Sequence, residues 1–187
     1  MTFTQILQWI DQGEGTTIEF KMQVTHVSKI AKTLCAFANT KGGTMVVGIT
    51  DDGEMVGVIN PEQTKTKLLQ AAMMSELPIV IQLDEFEVES SVIIIAAYVP
   101  RSNHKPHHIT NTEGLKRAYV RTGDKTMIAS PIVKKAIQLA PPENNSDKLS
   151  LDSKESGLLK RLEVRPKITL KEYMNLMNIS KRRAKRI

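Results

Sequence analysis

The hydrophobic period changes twice between Thr17 and Ile49, and that change limits what the chain can fold into. Thr17–Met22 alternates, with Ile18, Phe20 and Met22 on one side and Thr17, Glu19 and Lys21 on the other. That is the pattern of a half-buried strand. From Thr25 to Asn39, Val27, Ile30, Ala31, Leu34, Phe37 and Ala38 trace one helical stripe, closed by Asn39 and the Gly42-Gly43 pair. Thr44–Ile49 is then a continuous apolar run of strand length, suited to a strand covered on both faces. Strand, helix and buried strand in this order predict an α/β (α+β) fold, a mixed sheet with flanking helices.

The flanking segments extend that reading. Phe3, Ile6, Leu7 and Ile10 predict a short helix ended by Gly13 and Gly15. Asp51-Asp52-Gly53-Glu54 reads as a turn into a hairpin partner, Met55–Val58. Pro61 opens a helix to about Glu76, with Leu68, Leu69, Ala72 and Met73 inward. Strands are expected near 79–89, 92–99 and 115–121, a loop over 100–114, and a helix over Pro131–Leu139. Pro141-Pro142-Glu143-Asn144-Asn145-Ser146-Asp147 has the composition of a linker. The expected organisation is therefore a domain over 1–140, a linker over 141–152, and a small all-α segment over 153–187. In that segment Ser153–Val164 predicts a helix, and Lys171–Met177 and Ser180–Ile187 predict two more around a short turn.

Charge is unevenly placed. The chain carries a net +6, yet residues 1–140 hold 14 Lys/Arg against 14 Asp/Glu, while residues 141–187 hold 12 against 6. A neutral body with a basic end points to a polyanion contact at that end. Cys35 is the only cysteine, which excludes an intrachain disulfide and a cysteine zinc site. No apolar run reaches the ~20 residues of a membrane helix, and Met1-Thr2-Phe3-Thr4-Gln5 lacks the regions of a signal peptide. A cytoplasmic protein without a membrane partner is expected.

Three ordered blocks carry a resemblance: Ile18-Glu19-Phe20-Lys21, Ala36-Phe37-Ala38-Asn39-Thr40-Lys41-Gly42-Gly43 and Gly48-Ile49-Thr50-Asp51-Asp52-Gly53. Val99-Pro100 with Lys105-Pro106, Tyr119-Val120-Arg121-Thr122-Gly123 and Ala129-Ser130 follow in sequence. From about residue 13 to 140 the chain resembles the Schlafen-type, Alba-like DNA-binding domain that precedes helix-turn-helix regions in bacterial regulators. The resemblance implies an α/β domain with a mixed sheet and a nucleic-acid-binding role in a transcriptional regulator. It carries no cofactor, and its expected partner is DNA, with RNA as the second choice; a homo-oligomer is compatible with it.

The residues supply reasons. Gly42 and Gly43 suit a sharp turn from helix to strand, and no Gly-x-x-x-x-Gly-Lys-Ser/Thr phosphate loop is present. Lys116, Arg117, Arg121 and Lys125 form a basic cluster, and Lys21 lies in the first block. On one strand, Arg117, Tyr119 and Arg121 share a face, so two guanidinium groups would flank a ring able to stack on a base. An ordinary solvated face is the competing reading. In the C-terminal segment Ser180 is a good N-cap, placing Lys181, Arg182 and Arg183 in a first helical turn, followed by Lys185 and Arg186. A helix-turn-helix sets such a turn into the major groove. A basic helix packed on another subunit is the alternative. No wing follows by Ile187, so the expected motif is a truncated (winged) helix-turn-helix.

Two other functions remain open at this stage. In eukaryotic Schlafen proteins the corresponding domain can be a metal-dependent RNA endonuclease, and Glu14, Glu19 and Asp51 stand at its carboxylate positions. Three converging carboxylates could hold Mg²⁺ or Mn²⁺. A spacing of five, however, separates Glu14 from Glu19 unless the Gly13–Gly15 turn folds Glu14 back. The other function is a nucleotide-binding or protein-interaction module. His104, His107 and His108 lack a fourth zinc ligand nearby, Cys35 reads as a buried inert thiol, and Trp9 as packing.

Overall fold

The structure is a computed structural model that describes residues 1–89, 92–111, 113–140, 157–158, 161–162 and 168–184. The chain divides into two compact units, Met1–Ala140 and Pro141–Ile187. No helix among the described residues is long and apolar enough to cross a membrane.

The first unit runs α1 (Phe3–Gln12), β1 (Ile18–Lys21), α2 (Val27–Asn39), β2 (Gly43–Val47), α3 (Pro61–Met73), β3 (Gln82–Glu89), β4 (Val92–Val99), β5 (Ile109–Thr110), β6 (Lys116–Arg117), β7 (Tyr119–Thr122), β8 (Lys125–Ile128) and α4 (Pro131–Leu139). Its main sheet has the order β1-β2-β4-β3. β1 and β2 are parallel and joined by α2, while β4 is antiparallel to both β2 and β3. This is the mixed sheet with flanking helices that the period changes predict.

Both faces of the sheet are covered, which is why β2 reads as an unbroken apolar run. Met45 and Val47 join Leu34, Phe37, Ile95 and Ala97 in the core under α2. Val46 joins Ile6, Ile18, Phe20, Ile49 and Ile94 in a second core under α1, with Trp9 packed at its edge. Each large side chain buried this way contributes about 1.5–3 kcal/mol relative to exposure.

The turn into β2 admits only glycine. Gly42 has φ +78°, and a Cβ there would stand 2.8 Å from Val99 O and from Arg101 N. A Cβ on Gly43 would run into the Phe37 ring and come within 2.8 Å of Thr17 O. Close packing of backbone on backbone therefore accounts for the pair.

Three expectations are corrected. Met55–Val58 forms no ladder beyond an Ile49–Met55 bridge. The Gly48 carbonyl instead accepts from both Val56 N and Gly57 N, at 2.9 Å each, and Val58 N donates to Ile93 O at 2.8 Å. α3 turns Leu68, Ala71 and Ala72 inward, leaving Leu69 and Met73 exposed. The strand expected over 115–121 breaks at Ala118 into β6, paired with β5, and β7, paired with β8.

In the second unit, α5 (Leu170–Met177) and α6 (Lys181–Ala184) are joined by a turn at Asn178–Ser180. Thr169 caps α5 in a reciprocal box with Glu172, and Asn178 ends it in the left-handed conformation at φ 53°. The linker assigned to 141–152 lies outside the described residues. Of the helix assigned to Ser153–Val164, only 157–158 and 161–162 are described, and they are helical.

Candidate nucleic-acid interface

Alternation along β1 sets Ile18 and Phe20 against the α1 core and turns Glu19 to the other face. There Arg121 of β7 meets it. Arg121 Nη1 donates to Glu19 Oε2 at 2.7 Å and to Thr126 Oγ1 at 3.2 Å, and Nη2 donates to Gly15 O at 2.6 Å. The guanidinium lies 5.1 Å from the centre of the Phe37 ring, and the side chain is 1% exposed. Four kinds of contact thus offset the desolvation of one buried cation.

Lys21 completes the charge balance. Its Nζ donates to Glu19 Oε1 at 2.8 Å and to Phe20 O at 2.7 Å, and lies 3.9 Å from Glu14 Oε1. The Gly13 turn, at φ +77°, does fold Glu14 back, and Glu14 Oε1 accepts from Phe20 N at 2.6 Å. Burial pushes the Glu14 carboxyl above its ordinary range; the Phe20 N–H and Lys21 oppose the shift, and Glu19 and Asp51 add to it.

This arrangement corrects the carboxylate reading. Glu14 and Glu19 come together, but around an ammonium group, and the second oxygen of Glu19 is taken by Arg121. Asp51 is an exposed residue of the turn between Thr50 and Glu54. Among the described residues no three His, Cys, Asp or Glu side chains stand where they could hold a metal ion. A divalent cation would have to displace Lys21 and share Glu19 with a buried guanidinium. Glu14, Glu19 and Asp51 therefore do not fit Mg²⁺ or Mn²⁺, and no cleavage step follows from them.

The raised Glu14 carboxyl sets a pH test. A carboxyl raised in the folded state favours folding at low pH, and that contribution is lost as pH climbs from about 4.5 through the folded value. Glu14→Gln keeps an acceptor for Phe20 N–H and removes the titration. Its thermal midpoint should match or exceed that of the wild type at pH 7, with a flatter acid-to-neutral profile. A midpoint well below wild type at pH 7 would show that ionised Glu14 stabilises the fold through Lys21.

The expected open face of Arg117, Tyr119 and Arg121 is also corrected. The break at Ala118 puts Arg117 in a different sheet, and alternation along β7 points Tyr119 and Arg121 inward, both buried. Spacing identified the shared face of Tyr119 and Arg121; it did not tell which side of the hairpin is covered. Lys116 is exposed but paired with Glu76 at 2.7 Å. Lys125 is exposed at the hairpin end.

What does open to solvent beside this pair is a cleft of about 490 Å³. Glu19 and Lys21 of β1 form one side, Lys29, Lys32 and Thr33 of α2 another, and Tyr119, Thr126 and Ile128 of the β7–β8 hairpin a third. Lys32 Nζ lies 5.8 Å from the Tyr119 ring centre. Lys29 and Lys32 have no carboxylate partner among the described residues. Among the described residues, Glu19 is the only acidic one lining the cleft. Lys29 and Lys32 escaped the sequence reading, although their three-residue spacing opposite the apolar stripe of α2 marks them as neighbours on one face.

The remaining candidates are structural. His107 Nδ1 donates to Leu77 O at 3.0 Å, so Nε2 accepts from Ser102 Oγ at 2.8 Å. Burial holds its pKa below the ordinary value. Cys35 is buried, with its thiol pushed up to about 11 by desolvation.

In the second unit Lys181 and Arg182 are exposed at the start of α6, without an ion-pair partner among the described residues, while Ala184 is buried. Only the backbone of Arg183 is described; Lys185 and Arg186 lie outside the described residues. Glu172 is drawn down to about 2 by the Thr169 N–H and hydroxyl and by Arg161, 2.9 Å away.

A parallel β-α-β unit with a buried Glu–Arg pair beside a lysine-lined cleft makes the first unit an α/β domain with a mixed sheet. Residues 14–130 match the Schlafen, AlbA_2 family. That is more than half of the chain, and the chain belongs to this family. Among solved structures, it is similar to the N-terminal domain of a protein from Nitrosomonas europaea described as related to the ATP-dependent DNA helicase RecG. That match has 24% identity, covers 70% of this chain and 96% of that one, and has a TM-score of 0.49. It is also similar to the DIP2311 protein from Corynebacterium diphtheriae, at 19% identity, covering 62% of this chain and 26% of that one, with a TM-score of 0.45. No curated protein matches the chain.

Proposed function

We propose that the chain is a DNA-binding regulator of transcription whose second unit is a helix-turn-helix, with α6 as the helix that enters the major groove. The observation that carries this reading is the exposed Lys181–Arg182 pair at the start of α6, without an ion-pair partner among the described residues, in a helix anchored by buried Ala184. Cationic side chains at the first turn of a helix oppose its dipole, a mild cost that a phosphate reverses. The excess of positive charge in residues 141–187 supports the same partner.

Salt dependence tests it. Lys181→Glu/Arg182→Glu in the full chain should weaken duplex binding at least about tenfold and shallow the log–log salt slope by about 2. Both positions are solvent-facing, so the fold should be intact by circular dichroism. Unchanged duplex affinity would remove α6 from the function.

A further inference from the structure

We infer that the lysine-lined cleft of the first unit is a separate site for one nucleotide of an unpaired strand, held by Lys29 and Lys32 without a metal. This rests on the chain being a nucleic-acid binder but not on α6.

Size argues first. A cavity of about 490 Å³ accepts a ligand of small-molecule size, which one nucleotide is. A duplex is wider than its own ~12 Å major groove and cannot enter such a cavity. Only a strand free of its complement can place a phosphate and a base there together.

Charge argues next. Lys29 and Lys32 stand three residues apart on α2, both lining the cleft and neither neutralised by a carboxylate among the described residues. Elsewhere in the same unit Lys65 is paired with Glu62 and Glu85, and Lys116 with Glu76. The one carboxylate lining the cleft among the described residues, Glu19, has one oxygen on Lys21 and the other on Arg121. It is therefore compensated by Lys21 at the cleft and by Arg121 behind it, and presents little repulsion to an entering phosphate. Those same contacts occupy both Glu19 oxygens, which leaves the lysine cations to meet the anion.

The apolar wall supplies the rest. Ile128 is 54% exposed and lines the hairpin side opposite the lysines. A base laid on that wall would put its phosphate toward α2. Affinity should then be tolerant of sequence, because an apolar wall and point charges read no base edge.

The test compares a labelled 12-nucleotide oligo-dT, a 12-base-pair mixed duplex and free dTMP, on the full chain with EDTA present. For Lys29→Glu/Lys32→Glu the expected result is about a tenfold loss on oligo-dT, with duplex affinity within twofold of wild type. Ile128→Glu should reproduce the loss on oligo-dT. Weak dTMP binding that the same variants abolish agrees with a single-nucleotide site; dTMP binding as tight as oligo-dT would assign the cleft to free nucleotides instead. Equal losses on oligo-dT and duplex, or no loss on either, would overturn the inference while leaving α6 as the duplex reader. Failure of the wild type to bind any of the three probes would overturn both readings.

Discussion

Arg121→Met should lower the unfolding free energy of the first unit by about 3–5 kcal/mol, the usual cost of breaking a buried ion pair from one side. Methionine fills most of the same volume, so cavity formation contributes little. What is lost is the guanidinium that answers Glu19 and ties Gly15 O to the hairpin. Lys21 holds one Glu19 oxygen, but from the cleft side, and the oxygen that faced Arg121 is left without a donor. The urea midpoint should fall with an unchanged slope, the mark of lost stability without a change in the unfolded state. Adding Glu19→Leu to Arg121→Met should cost less than the two single losses together, since both charges then leave at once. A single-variant loss under about 1 kcal/mol would mean that water reaches the pair. One practical consequence concerns cleavage assays. Glu19→Ala would abolish activity by unfolding the domain as readily as by removing chemistry, so Glu14→Gln is the cleaner probe of a carboxylate function.

The architecture was legible because hydrophobic periodicity is a local property. The alternation of Ile18, Phe20 and Met22, the α2 stripe and the run through β2 each report which faces are covered, and the sheet follows. The interface was less legible because a cation has no periodic signature that separates inside from outside. Arg121 and Lys116 look alike in sequence; only the meeting of β1 with β7, 102 residues apart along the chain, decides that Arg121 is a buried partner of Glu19. Lys29 and Lys32 were hidden for the converse reason. They occupy the polar face that any amphipathic helix has, and become a pair of interest only once the β7–β8 hairpin closes a cleft in front of them. The block Ala36–Gly43 carries the family resemblance, yet its physical content is structural. Phe37 supports Arg121, Gly42 and Gly43 allow backbone contact, and Asn39 ties three elements together.

Asn39 carries the second large effect. It is buried at the end of α2, where Oδ1 accepts from His107 N at 2.7 Å and Nδ2 donates to His107 O and to Tyr119 O, each at 3.0 Å. One amide thus serves backbone groups on the loop before β5 and on β7. Asn39→Ala strands His107 N and Tyr119 O in the core, while His107 O keeps the Cys35 thiol as a donor at 3.3 Å. Each unsatisfied one costs about 1–3 kcal/mol, and since the two share one site the total should be about 2–5 kcal/mol. Asn39→Asp separates hydrogen bonding from packing. Its carboxylate still accepts from His107 N–H but sets a second acceptor against two carbonyls, whereas its protonated form regains a donor. The aspartic acid is therefore raised above its unfolded value of about 3.9, and the stability it retains is present below that pH and lost as pH rises through the folded value. Asn39→Asp should unfold more readily at pH 7 than at pH 4, relative to the wild type at each pH. If the aspartate variant instead tracked Asn39→Ala at both values, the amide's two donor bonds would not be what holds the loop to β7.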